Sequence, residues 1–188
     1  MVMMTTDIRL ILTSAILLLT LSAQTSLANA SEAPDFVKKY IQDPELVGQG
    51  QYHRLFWKIY DARLYASQGS YATDEAFALQ LEYARDLPSQ GIVEKSIELI
   101  AAQGVANEQR LESWKQLLGN VIPDINKGDK LTGIRLGSNS YFYLNNELAG
   151  QISEPQLNQY FFDIWLGEDT TAPDLRLELL GKSTSDNQ

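Results

Sequence analysis

The sequence predicts an α+β domain, with helices covering one face of an antiparallel sheet and a pocket between the two layers. Three observations predict it. Strand-like alternation is confined to two blocks, near residues 47–84 and 130–152, and a block of helix-period residues lies between them. Short turn signals, Gln68-Gly69-Ser70 and Asn145-Asn146, join successive strands and favour antiparallel pairing. No repeat, linker or composition break follows Ala30, so residues 31–181 form one domain and a polar tail at residues 182–188 is expected to be disordered.

The elements follow in order. Residues 1–30 are a signal peptide: Arg9 ends the n-region, an apolar run covers Leu10 to Leu21, and Ala28-Asn29-Ala30 gives the small-x-small pattern that signal peptidase accepts. The run falls short of the roughly 20 apolar residues of a bilayer-spanning helix. An uncleaved N-terminal anchor is the alternative, and Met3 and Met4 are alternative starts. Cleavage leaves a chain with no later apolar run of spanning length, soluble and exported to the periplasm through the Sec pathway, with no stable membrane span. A chain of this size folds on its core alone, without disulfides.

Residues 31–46 are polar and punctuated by Pro, with one helical turn near Phe36–Ile41. From Val47 to Ala66 the chain is strand-like. Tyr52, Arg54 and Phe56 fall on one face, and Tyr60, Ala62, Leu64 and Ala66 continue the period-two pattern. Phe77, Leu79, Leu81 and Tyr83 alternate with Ala78, Gln80, Glu82 and Ala84, the pattern of a half-buried strand. Ser89 is placed to cap a helix whose apolar face carries Ile92, Val93, Ile97 and Ile100, with Gly104 as its stop. Asn107 caps a second helix with Leu111, Trp114, Leu117 and Leu118. Strands follow at Lys130–Leu136, Ser140–Leu144 and Ala149–Ile152. Pro155 starts a helix with Leu157, Tyr160, Phe161, Ile164 and Trp165, stopped by Gly167, and Leu175–Leu180 add a last amphipathic turn or two.

The composition excludes much chemistry. The 188 residues carry a formal net charge of -9, which argues against nucleic acid and against an anionic membrane surface. The chain has no Cys and one His, so thiolate sites, cysteine nucleophiles, iron–sulfur clusters and multi-histidine metal sites within one chain are excluded, and no cofactor is expected. His53 sits mid-strand on the face opposite Tyr52 and Arg54, away from any Ser–His arrangement. Asp124, Asp129 and Glu147 do not form a calcium loop, and Gly133 and Gly137 do not form a phosphate loop. What remains is a set of strand aromatics and arginines, Tyr52, Arg54, Tyr60, Tyr65, Tyr83, Arg85 and Arg135. They could line a cavity as phenol and guanidinium donors suited to carboxylate or phenolate oxygens, or form a solvated face over a tyrosine-packed core.

A resemblance extends this reading. Gly48-Gln49-Gly50-x-x-x-x-Leu55-Phe56-x-Lys58-Ile59-Tyr60-Asp61-Ala62-x-Leu64-Tyr65-Ala66 resembles the first hairpin of chalcone isomerase-like proteins. Leu79-x-Leu81-x-Tyr83-x-Arg85 is similar to their next strand, and Ile92-Val93-x-x-Ser96-x-x-x-Ile100 to the helix after it. Trp114, the block Ile122-Pro123-Asp124-Ile125-x-x-Gly128-Asp129-x-Leu131-Thr132-Gly133, and the closing stretches Phe161–Gly167 and Pro173–Gly181 follow in family order. The resemblance covers about residues 45–181 and is closest to the exported bacterial branch. It implies a curved antiparallel sheet packed against a layer of α-helices around an apolar cleft. It also implies two activities: flavanone ring closure, with an arginine on the first strand holding the oxyanion, or fatty-acid binding through an Arg and a Tyr.

The catalytic positions carry over incompletely. Tyr52 stands at the first-strand arginine, with Arg54 two residues on as a substitute on the same face. Tyr60 stands at an assisting Thr, Lys95 near the helix Asn, Pro88 near the Tyr before that helix, and Leu175 near a late Thr or Ser, beside Arg176. With several such groups missing, each worth about 100- to 1000-fold, chalcone cyclisation is not expected. The leading expectation is a protein that binds a small apolar or carboxylate ligand through Tyr52, Arg54, Tyr60, Tyr83 and Arg85. The alternatives are an isomerase of intramolecular lyase type on another substrate, which requires a concave pocket with Arg54 turned inward, and a non-enzymatic partner-binding module, which requires a filled core and an exposed apolar patch.

Overall fold

Period-two alternation puts every second side chain of a strand on one face, and here both faces are covered. In the computed structural model, which describes residues 32–104 and 107–182, six strands pair antiparallel in chain order. They are β1 (Pro44–Arg54), β2 (Trp57–Ser67), β3 (Phe77–Tyr83), β4 (Lys130–Leu136), β5 (Asn139–Leu144) and β6 (Glu147–Ile152). The four α-helices are α1 (Ser89–Ala102), α2 (Glu108–Gly119), α3 (Pro155–Leu166) and α4 (Pro173–Leu179), and a short 3-10 helix, Asp35–Lys39, precedes β1. The expected signal peptide and the tail after Lys182 lie outside the described residues. No helix among the described residues is long and apolar enough to cross a membrane.

One sheet face is read along the cross-strand partners Leu64, Leu79, Gly133 and Phe142. The main core lies here, between these strands and Val93, Ile100, Trp114, Leu118, Phe162 and Leu179 of the four helices. The other face packs Tyr65, Ala78, Ile134 and Tyr143 against Phe36, Val37 and Ile41 of the N-terminal segment. Phe36 stacks on Tyr143 at 4.2 Å, and the Tyr40 and Tyr143 hydroxyls are 2.8 Å apart in a hydrogen bond.

This second layer corrects the reading of β3 as half-buried. Ala78 is fully buried beneath the 3-10 helix segment. Gln80 is also buried, its Nε2 donating to Thr132 Oγ1 at 3.2 Å across the β3–β4 pair. A polar side chain at a buried position survives because its neighbour satisfies it.

Two further expectations change. Ser89 is not the cap of α1: the helix starts at Ser89 after Pro88, and the capping oxygen comes from Asp124, whose Oδ1 accepts the Ser89 N–H at 2.7 Å. The Ser89 hydroxyl donates instead to the Ile122 carbonyl. A capping rule that reads only neighbouring residues cannot find an acceptor brought from a loop beyond α2. Phe56, expected on the face of Tyr52 and Arg54, lies in the two-residue turn between β1 and β2, where Leu55 takes a positive φ of 56°. Asn107 caps α2 as its sequence indicates, accepting the Gln109 N–H at 2.9 Å.

Helix α4 closes the domain against β1, and Gly48 allows the approach. A methyl group there would lie 2.6 Å from the Leu179 carbonyl oxygen and closer still to that of Glu178. Backbone oxygens cannot swing aside, so a side chain must push the helix off the strand. Gly48→Val is expected to cost about 1–3 kcal/mol, the usual range for overpacking, lowering the midpoint of thermal unfolding by several degrees. Gly119→Ala, at a helix end with open space around it, is expected to leave that midpoint unchanged or raised in the same calorimetric comparison.

Candidate functional site

A cavity of about 380 Å³ lies between the sheet and the helices. Leu79, Leu81, Leu131 and Phe142 of the sheet form its floor, and Ile92 and Leu99 of α1 with Phe161 and Phe162 of α3 face them. Among the lining residues, Arg54, Pro88, Gly91, Lys95 and Thr171 are exposed, so the cavity opens among the end of β1, the first turns of α1 and the loop between α3 and α4.

Strand register builds one wall. Tyr52 is the cross-strand partner of Tyr60, and Tyr60 is the partner of Tyr83. Three phenols therefore stand side by side on the helical face. The Tyr52 and Tyr60 rings stack at 5.2 Å, and Tyr60 meets Tyr83 edge-on at 5.7 Å. The Trp165 indole N–H, from α3, donates to the Tyr60 hydroxyl at 2.9 Å and holds the row against the helical layer. Neither the Tyr60 nor the Tyr83 O–H finds an acceptor among the described residues, which leaves both protons for a ligand.

The charge of the lining is one-sided. Among the described residues it holds two cations, Arg54 and Lys95, and neither a carboxylate nor the single His. Lys95 pairs with Glu98 at 2.7 Å, whereas Arg54 has no ion-pair partner among the described residues. Burial pushes the Tyr60 and Tyr83 phenols well above their ordinary value, the Trp165 N–H only partly offsetting this at Tyr60. The site thus offers O–H and N–H donors over apolar walls. No group of three or more His, Asp or Glu side chains among the described residues is placed to hold a metal ion.

The residues singled out from sequence divide. Tyr52, Arg54, Tyr60 and Tyr83 line the cavity, as do Pro88 and Lys95, two of the positions marked by the resemblance. Arg85 does not: its guanidinium sits 5.6 Å from the centroid of the Trp57 ring. It follows Tyr83 by two residues, but β3 has already ended, so strand parity no longer applies. Tyr65 is buried in the opposite layer, as its odd spacing from Tyr60 requires. Arg135 donates to the Thr73 carbonyl at 3.0 Å and lies over Phe77, outside the lining. Leu175 and His53 are also outside it, and His53 is exposed. Sequence reading missed Trp165 as the partner of Tyr60. Its apolar helix face marked it as inward, but a hydrogen bond across 105 residues leaves no local signal.

The raised phenols fix a pH dependence. Between the ordinary tyrosine value near 10 and the higher folded values, the native chain keeps protons that the unfolded chain releases. Stability contributed by Tyr60 and Tyr83 is therefore fully present below about pH 10 and declines as pH rises above it. Spectrophotometric titration at alkaline pH is expected to show two classes of tyrosine, with the late class shifted to the early one in denaturant. A single class with the ordinary value in the native protein would contradict the burial of this row. Tyr40, on the opposite face, is pushed up to about 12 by burial and its bond to Tyr143, and belongs to the late class.

Most of the chain matches known proteins. A family model described as chalcone isomerase-like matches residues 29–181. A Haemophilus influenzae protein described as uncharacterized is 27% identical over 147 residues, covering 76% of this chain and 70% of its own. Among solved structures, an Arabidopsis thaliana fatty-acid binding protein superposes with a TM-score of 0.57 at 14% identity, covering 74% of this chain and 88% of its own, a likeness of fold. The order of the six strands, the helical layer over one face and a family match running through nearly all of both place the chain in a known group: it belongs to the chalcone isomerase-like family.

Proposed function

We propose that the cavity binds a small apolar molecule carrying a carboxylate, of the fatty-acid type, without turning it over. The observation that carries this reading is the mismatch between the cavity and the chain. The walls are apolar and, among the described residues, the only ionic groups lining them are the cations Arg54 and Lys95, in a protein of net charge -9. An acyl chain would lie along Leu79, Leu131 and Phe162, where its burial is favourable by roughly 0.8 kcal/mol per methylene. The carboxylate would sit at the mouth beside Arg54, which can chelate two oxygens, with the Tyr60 and Tyr83 protons available to polar atoms further in. A volume of about 380 Å³ is at the small end for ligand pockets, near 300–1,000 Å³, so a short or folded chain fits better than a long extended one. The Arabidopsis protein of similar fold is described as a fatty-acid binding protein, which supports the same reading.

One observation favours a second reading, an isomerase of intramolecular lyase type: Arg54 lines the cavity rather than turning away. Among the described residues no carboxylate or imidazole lines it to act as a base at neutral pH, so a substrate would have to arrive already ionised. Turnover of an enone substrate abolished by Arg54→Ala would establish that activity. The partner-module reading required a filled core, and the cavity weighs against it.

Displacement of a fluorescent fatty acid, followed by native mass spectrometry, tests the proposal. Medium-chain carboxylic acids are expected to displace the probe better than the matching alcohols. Arg54→Ala is expected to weaken binding about 3- to 10-fold, a modest loss because the guanidinium is exposed. Ile92→Trp, which fills the cavity from α1, is expected to abolish it with the helical signal retained. A protein that displaces nothing and carries no bound mass overturns the proposal. The proposed location is the periplasm, which predicts that chain recovered from that compartment begins at Ser31, read by its intact mass.

A further inference from the structure

The tip of the first hairpin does not belong to the core. Leu55, Phe56 and Trp57 form the turn and the start of β2, and they are 87%, 96% and 65% exposed. A two-residue turn with a positive φ favours Asn or Gly, yet Leu55 holds it at 56° with a branched side chain. Local strain and three exposed apolar groups thus coincide at this tip, and strain of that kind clusters at functional sites.

We propose that this tip inserts into the surface of a lipid bilayer. Three arguments favour lipid over a protein partner. The apolar area is a point, not a plate, and two such points from two copies fall short of the roughly 800 Å² per partner of a stable interface. Leu, Phe and Trp, with Trp57 flanked by the Arg85 guanidinium at 5.6 Å and Arg54 one residue before the turn, make the amphipathic set that lodges between acyl chains and phosphates. Lys58 is answered by Asp61 at 2.8 Å, so Arg54 and Arg85 are the cations available to headgroups. The tip also borders the cavity, since Tyr52 and Arg54 on the same strand line it. A docked tip would bring the mouth against the surface from which an apolar ligand has to come. The proposal stands apart from what the cavity holds, because the exposure of the tip does not depend on a ligand.

Vesicle co-sedimentation with tryptophan emission tests it. Of the three Trp residues, Trp114 and Trp165 are buried, so a blue shift on adding phosphatidylglycerol vesicles reports Trp57. Lipids brominated near the headgroup end of the acyl chain are expected to quench it. Phe56→Asp is expected to lower the vesicle-bound fraction at least about tenfold, and phosphatidylcholine vesicles to bind more weakly than anionic ones. Comparing chains that differ only at residue 56 cancels whatever the N-terminal apolar run adds. Phe56→Asp, altered at a residue that touches neither core, keeps the parent's circular dichroism and probe displacement. Equal vesicle binding by Phe56→Asp, an unshifted Trp57 spectrum, or a dimer in sedimentation that this variant abolishes would each overturn the proposal, the last by assigning the tip to a second copy.

Discussion

Strand register decides where this protein keeps its phenols. Because side chains alternate between faces, a slip of one residue in the pairing of β1, β2 and β3 would carry Tyr52, Tyr60 and Tyr83 from the cavity to the opposite layer. Two features hold the register. Gly48, opposite Leu64, admits the backbone of α4 and would be replaced by a clashing side chain in any odd shift. The Trp165 indole meets Tyr60 in one register alone, and Trp165 is itself packed edge-on against Phe161 at 5.4 Å. The helical layer thus rests on the sheet through a specific polar contact as well as through apolar packing, and the cavity is the space this arrangement leaves beside it.

The second face makes that space affordable in free energy. A sheet with a hollow on one side loses contacts that a filled core would have made. Here the 3-10 segment covers the reverse of β2 to β5 and buries Phe36, Val37 and Ile41 against Tyr65, Ala78, Ile134 and Tyr143. β3, which forms part of the cavity floor, is buried on both faces in consequence. The buried Gln80–Thr132 pair in this strand adds a directional contact between β3 and β4.

Most of the architecture was legible in the residues because it rests on local periodicity. The six strands, the four helices, the Asn107 cap and the Gly167 stop all follow from spacing within a few residues. The errors share a cause. Ser89, Gln80 and Arg85 were assigned from their neighbours in sequence, and each is governed by something distant: Asp124 beyond α2, Thr132 on β4, and Trp57 across the hairpin. The site was half legible for the same reason. Tyr52, Tyr60 and Tyr83 lie on predictable faces of predictable strands, whereas the helical side of the cavity depends on how α1 and α3 settle on the sheet, which no spacing encodes.

Net charge illustrates the limit most sharply. A value of -9 over the whole chain argues against anionic partners only if the charge is spread on the scale at which partners feel it. Screening in physiological salt cuts that scale to about 8 Å, shorter than a six-residue strand. Within such a distance a ligand at the cavity mouth meets Arg54 and Lys95, and the surplus of acids elsewhere is largely screened from it. The acidity then has a consistent place: it sets the long-range behaviour of the molecule, disfavouring indiscriminate contact with anionic surfaces, while in the proposed function a few cations at one end would decide what is admitted. The same division separates what composition can address, residue types such as Cys and His that are absent or single, from partners, which depend on where the charges stand.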